Sequence, residues 1–185
     1  MPEPLPRIIV VTPSLPERSD LRAECVNSVS EQTLKPVAHL IHVDHERRGP
    51  AACLNTLARA AVDAGAEWVA QLADDDIMLP QHLETLTQRL DADIIYTYCE
   101  VEGRGAWNPN APFDADRLRQ GNYIPATTLI RAELCAELGW RSDAQHGFED
   151  WDFWLRALDA GASFACIPEV TWVYRFHGEN LSTTL

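Results

Sequence analysis

A chain of 185 residues that is 46% hydrophobic and 8% aromatic carries enough apolar surface to bury a substantial core, which excludes a disordered chain and makes one domain over residues 1–185 the expectation. Fifteen basic residues against 28 acidic ones leave a net charge of -13, so the average surface repels phosphate backbones and anionic membranes, and nucleic acid is not an expected partner. Five cysteines, at 25, 53, 99, 135 and 166, are odd in number and show no CxxC spacing, a pattern that predicts reduced, mostly buried thiols in a cytoplasmic protein.

The N-terminal "MPEPLPR" precedes an apolar run of only five residues and reads as neither a secretory signal nor a membrane span. "RIIVVT" (7–12) is a short β-rich run of the kind buried on both faces of a sheet. "DLRAECVNSVSEQ" follows with helical spacing of Leu21, Cys25 and Val29, and "VAHLIHVD" (37–44) predicts a second strand. Gly49 and Pro50 open a helix whose face is Ala51, Leu54, Leu57, Ala58, Ala61 and Val62 and which stops at Gly65. "EWVAQLA" is the third strand, the stretch from Pro80 with Leu83, Leu86 and Leu90 a third helix, and "DIIYTY" a fourth strand.

Residues 99–125 are rich in Gly, Pro, Asn and aromatics, with one short helix in "FDADRLRQ", and predict a functional loop or a small additional sheet. "ATTLIRAEL" resumes as strand and helix. "EDWDFWLRALDAG" places Trp151, Trp154, Leu155 and Leu158 at amphipathic spacing behind an acidic first turn of Glu149, Asp150 and Asp152. "ASFACIP" and "VTWVYRFH" read as two closing strands. The alternation predicts an α/β fold with a mostly parallel twisted sheet, helices on both faces, and a small antiparallel addition near the C-terminus.

Ligands of such sheets bind beyond the carboxyl ends of the strands. Thr12 and Ser14 follow the first strand, Asp44 the second, and Asp74, Asp75 and Asp76 the third, so polar groups gather along one edge. Adjacent carboxylates tolerate one another when a cation, a proton or solvent relieves their repulsion. Hard divalent cations commonly use one or two carboxylates plus substrate phosphates, so the triplet points either to a metal-bound diphosphate or to a solvated acidic turn.

Larger segments bear on that choice: "IIVVTPSLPERSDLRAECVNSVSEQTL", "RRGPAACLNTLARAA", "ADDDIMLP", "HGFEDWDFWLRALDAG" and "YRFHGENLS". In this order they resemble the opening strand and helix, the second helix, the Asp-x-Asp region, the Glu-Asp-Trp helix and the His-containing tail of the family 2 inverting glycosyltransferases, which have the nucleotide-diphosphosugar (GT-A) fold. The resemblance covers most of the chain. It implies transfer of a sugar from a nucleotide-diphosphosugar donor, UDP-linked in our reading, to an acceptor hydroxyl, with Mn²⁺ or Mg²⁺ as cofactor.

It also implies residue roles. Thr12, Pro13 and Ser14, with Glu17 or Arg18 nearby, would line the nucleobase and ribose pocket, and Asp44 would meet the base. Asp74 would take ribose or donor hydroxyls, Asp75 the metal, and His177 would be a further metal ligand. Arg47, Arg48 and Arg175 are candidates for the diphosphate charge, and Asn55 for donor contact. Asp150 resembles the catalytic base, although the helix dipole alone also favours an acid there. Glu149 and Trp151 would border the acceptor, while the spacing of Trp151 and Trp154 equally suits a core face. Trp107, in a Gly/Asn/Pro loop, is placed either against a sugar or over the edge of the core. Arg156 follows Asp152 by four residues, the spacing of a helix-surface pair.

The sequence departs from the family pattern after Asp44, where "HERRG" stands, and at Ala73, two before Asp75. A chain of this length leaves acceptor binding to a partner protein, a homodimer or a small acceptor. The alternatives are a catalytically degenerate sugar-nucleotide or carbohydrate-binding module, a nucleotidyltransferase, disfavoured because "TPSLPER" contains no glycine, and a DNA-sugar transferase, disfavoured by the negative charge.

Overall fold

The computed structural model describes residues 5–107, 112–143 and 148–176. Strand β1 (Ile8–Ser14) leads through a 3₁₀ turn (Pro16–Arg18) into α1 (Ser19–Ser30), then β2 (Ala38–Val43), α2 (Pro50–Asp63) and β3 (Trp68–Gln71). Next come the two-residue β4 (Ile77–Met78), α3 (His82–Leu86), β5 (Ile94–Val101) and β6 (Gly105–Trp107). The chain continues through α4 (Ala115–Gln120), β7 (Thr128–Arg131), α5 (Ala132–Leu138), α6 (Glu149–Asp159) and β8 (Phe164–Tyr174).

The continuous apolar run of β1 is explained by two cores. Strand side chains alternate between faces, and Ile9 and Val11 join a cluster with Leu54, Leu57 and Ala58 of α2 and Phe153 and Trp154 of α6. Ile8 and Val10 join the opposite cluster with Cys25 and Val29 of α1 and Leu83 and Leu86 of α3. A strand with a helical layer on each side has no solvent face, so it carries no polar alternation. The fold class is therefore the α/β architecture expected.

The sheet order is β2-β1-β3-β7-β5-β8-β4, with β6 on β5. β1 runs parallel to β2 and β3, and β5 parallel to β8. The antiparallel pairings are those of β7 with β3 and β5, of β6 with β5 and of β4 with β8. Because β1, β2 and β3 run parallel, their carboxyl ends share the edge where the aspartates sit.

The two closing strands expected from "ASFACIP" and "VTWVYRFH" are one strand, β8. Its register against β5 jumps from Thr97↔Ile167 to Tyr98↔Val170, leaving Pro168 and Glu169 outside the pairing. Proline has no N–H to give to a ladder, and a bulge accommodates it without ending the strand. In α6 the buried residues are Glu149, Phe153, Trp154 and Ala157, with Trp151, Leu155 and Leu158 half-buried beside them. The apolar stripe is thus rotated toward Phe153, which stacks on Trp140 at 4.6 Å and meets Trp154 edge-on at 5.3 Å. All five cysteines are free thiols, four of them buried. No helix among the described residues is long and apolar enough to cross a membrane.

Candidate functional site

A cavity of about 710 Å³ opens at the carboxyl ends of β1, β2 and β3. Pro13, Ser14, Arg18, Asp44 and Asp74–Asp76 line one side, and Asn122, Glu149 and Asp150 contribute from the connection before β7 and from α6. The strand ends, the aspartate triplet and the acidic start of α6, separated by up to 140 residues of chain, are thereby gathered at one site.

Arginines tie the aspartate turn together. Arg18 Nη1 donates to Asp74 Oδ1 and to Asp75 Oδ2, each at 3.0 Å. The other oxygen of Asp74 accepts from the Ser14 hydroxyl at 2.7 Å, and Arg22 donates to that same hydroxyl oxygen at 2.8 Å. Arg175, buried at the end of β8, donates to the Asp75 carbonyl, the Glu24 carboxylate and the Leu21 carbonyl, and its backbone N–H reaches Asp76 Oδ1 at 3.3 Å. Burial, and then the charge of Asp75, push the carboxyl of Asp76 well above the usual carboxylate range against the partial relief of Arg175.

Asp44 closes the turn into α2. Its oxygens accept from the Arg48 amide at 3.0 Å and the Gly49 amide at 2.8 Å. Burial opposes its ionisation, but these amides, the Cys53 thiol and the charge of Arg48 prevail, and its pKa is lowered. Gly49, at φ +88°, supplies the left-handed residue that turns the chain before Pro50 starts the helix.

Asp150 stands half-buried in the first turn of α6. Burial raises its pKa to about 6; the Trp151 amide at 2.7 Å and the Asn122 side-chain amide at 3.0 Å favour the charged form, and the charge of Glu149 opposes it. A carboxylate with that pKa holds little proton at neutral pH and is a better base than an ordinary aspartate.

Several sequence expectations are placed elsewhere. Thr12 is on the α1 face of β1, where its hydroxyl meets His39 Nε2 at 2.8 Å and Cys25 Sγ at 3.9 Å, and it does not line the cavity. The two-residue period decides this, because Thr12 shares the parity of Ile8 and Val10. Asn55 spends both ends of its amide on the Trp140 backbone, donating at 2.7 Å and accepting at 2.8 Å, away from the cavity lining. Trp151 donates its indole N–H to the Leu118 carbonyl at 2.8 Å and packs on the core instead of lining the cavity. Arg47 pairs with Glu17, Arg48 with Glu46 at 3.4 Å, and neither lines the cavity. Arg175 is buried in the contacts above. Arg156 pairs with Asp152 and also caps the end of α5 through the Leu138 and Gly139 carbonyls. His177 and the Trp107 side chain lie outside the described residues; the Trp107 backbone pairs with Cys99.

Sequence reasoning missed Asn122, Arg22 and Cys53. Asn122 gave a faint signal as the polar residue in the "GNYIP" turn; the other two were absorbed into helix patterns and gave none.

The lining is acidic. Glu17, Asp44, the triplet, Glu149 and Asp150 all contribute, and Arg18 is the only arginine or lysine among the described lining residues. A diphosphate entering such a cavity meets net repulsion unless a cation accompanies it. Asp74 and Asp75 direct one oxygen each at the Arg18 cation, so the pair already holds a positive charge, and their all-oxygen donor set fits Mn²⁺ or Mg²⁺.

No family model matches the chain. Residue by residue, it is 26% identical over 137 residues to the uncharacterized glycosyltransferase YwdF of Bacillus subtilis (strain 168), an alignment covering 66% of this chain and 51% of that one. Staphylococcus aureus TarS (residues 1–349) in complex with UDP-GlcNAc superposes with a TM-score of 0.75 at 15% identity over 97% of this chain and 61% of that one. The mannosyltransferase PcManGT of Pyrobaculum calidifontis in complex with GDP-Man and Mn²⁺ gives 0.67 at 18% identity, covering 97% and 60%. The fold is that of glycosyltransferases. The chain spans about half of the Bacillus relative and about 60% of each of these two structures.

Proposed function

We propose that the chain is a metal-dependent, inverting family 2 glycosyltransferase using a UDP-linked sugar donor and a hydroxyl acceptor, with residues 1–185 acting as one domain. The observation that carries this reading is the convergence, in one cavity, of the strand-end aspartates with Asp150 at a raised pKa. The Bacillus relative and the folds of TarS and PcManGT support the same class of reaction, and the UDP-GlcNAc bound by TarS and the GDP-Man and Mn²⁺ bound by PcManGT supply the donor and metal analogy.

In this reading Pro13, Ser14 and Asp44 receive the nucleoside, and Asp74 and Asp75 hold Mn²⁺ or Mg²⁺. The ion, when bound, stabilises the charge that grows on the departing diphosphate. Arg18 is close enough to serve the same phosphates once released from the carboxylates. Asp150 accepts the proton of the acceptor hydroxyl as that oxygen attacks the anomeric carbon from the side opposite the leaving group, and single displacement inverts the centre. Asn122 and the Trp151 amide hold the Asp150 carboxylate in place, and Glu149 beside it borders the acceptor.

The test is UDP release from a panel of UDP-sugars with Mn²⁺ and simple hydroxyl acceptors, comparing the wild type with Asp150→Asn. Release by the wild type alone supports the reading. Equal release by both proteins removes Asp150 from the chemistry, and no release by a folded wild type with any donor overturns the assignment of UDP-sugars.

A further inference from the structure

We infer that His42, Asp44 and Cys53 form a binding site for a zinc-class divalent cation, distinct from the aspartate turn but sharing Asp44 with the nucleoside pocket of the proposed function. One ligand atom from each residue lies within 4.8 Å of the other two, and among the described residues this is the group of three or more such side chains that converges. The three come from separately anchored positions: His42 in β2, Asp44 immediately after it, and Cys53 in the first turn of α2.

The donor set decides the metal. Thiolate, imidazole and carboxylate together suit zinc and its borderline neighbours, whereas Mg²⁺ and Mn²⁺ prefer the oxygen ligands of the aspartate turn. Zinc bonds of roughly 2.0–2.3 Å require ligand atoms about 3.5 Å apart around a tetrahedral ion, so rotations on the order of 1 Å complete the set. His42 is half-buried on an edge strand and has room to make that adjustment.

Charge and support also agree. Asp44 and Cys53 are buried, and a divalent ion between a carboxylate and a thiolate leaves the cluster neutral. The Cys53 thiol is held protonated at present, with its pKa pushed up to about 11 by burial and then by the Asp44 charge. As the sulfur–metal bond forms, that proton passes to solvent. The amides of Arg48 and Gly49 already fix the Asp44 carboxylate, which is the outer-shell support that ligating carboxylates require. Three protein ligands leave a fourth position for water or a further ligand.

Co²⁺ titration of the whole chain tests the site, because thiolate-bound cobalt absorbs in the near ultraviolet. We expect one equivalent to bind with that band, zinc to displace it, and millimolar Mg²⁺ to leave it unchanged. Cys53→Ala should abolish the band, and His42→Gln, at a half-buried position, should weaken cobalt binding at least tenfold. A folded wild type without the band, or a band equally strong in both variants, would overturn the inference.

Discussion

Replacing Asp150 by asparagine separates electrostatics from chemistry in one variant. Its carboxyl has a pKa of about 6 in the folded protein against the ordinary aspartate value of 3.8. The difference of about 2 units corresponds to about 3 kcal/mol. A carboxyl whose folded pKa is raised favours the folded state while protonated. Stability is therefore lost as pH rises from 3.8 to 6, and the full cost is present above 6. Asparagine removes that cost.

Part of the gain is offset. The Asn122 amide that donates to Asp150 would face another amide N–H, and turning it over sacrifices the bond in which its oxygen accepts from the Ile124 N–H at 3.2 Å. That loss is about 1 kcal/mol, and solvent at the cavity wall screens some of the rest. The net expectation is a gain of about 1–2 kcal/mol at pH 8, or roughly 2–8 °C in Tm for a chain of this size. The gain should fade toward pH 4 while glycosyl transfer falls by at least about 100-fold. Thermal melts of both proteins at pH 4, 6 and 8 measure it. A Tm difference that is zero or negative at pH 8, or that is the same at every pH, refutes the reasoning.

The same pKa predicts that kcat/KM of the wild type rises with pH through about 6 and levels above it, a limb absent from the residual activity of Asp150→Asn in a pH–rate series. Asn55→Ala should lower stability by about 1–3 kcal/mol, because the Trp140 N–H and C=O lose their partners, while leaving the affinity for UDP unchanged by calorimetry. Gly139→Ala should destabilise by a comparable amount in a denaturant melt: its φ is +56°, and an added Cβ would lie 2.9 Å from Asn55 Oδ1. A loss of UDP affinity in Asn55→Ala without a loss of stability would return Asn55 to the donor site.

What the sequence made legible follows from which contacts are local. β1 and α2 are readable because an uninterrupted apolar run and a Gly-Pro start are local patterns, whichever distant elements pack against them. The aspartate turn is readable because strand ends in an α/β sheet share one edge. The direction of β7 was not readable: "TTLI" packs equally well either way, and its insertion between β3 and β5 is fixed by pairings with residues 68–70 and 94–96. Thr12 and Asn55 resemble donor-site residues in their segments, yet parity along β1 and the backbone of Trp140 claim their side chains. Arg175 reads as a candidate for the diphosphate charge until the fold brings Glu24 to it. Asn122 reaches Asp150 across 28 positions, a separation that carries no local pattern.

If the acidic edge accepts a nucleotide diphosphate through a cation held by Asp74 and Asp75, calorimetric titration of UDP must depend on Mn²⁺. Binding is expected for the wild type with Mn²⁺, little or none without it, and little or none for Asp75→Ala under either condition. Equal affinity with and without Mn²⁺, or unchanged metal-dependent binding by Asp75→Ala, would contradict it.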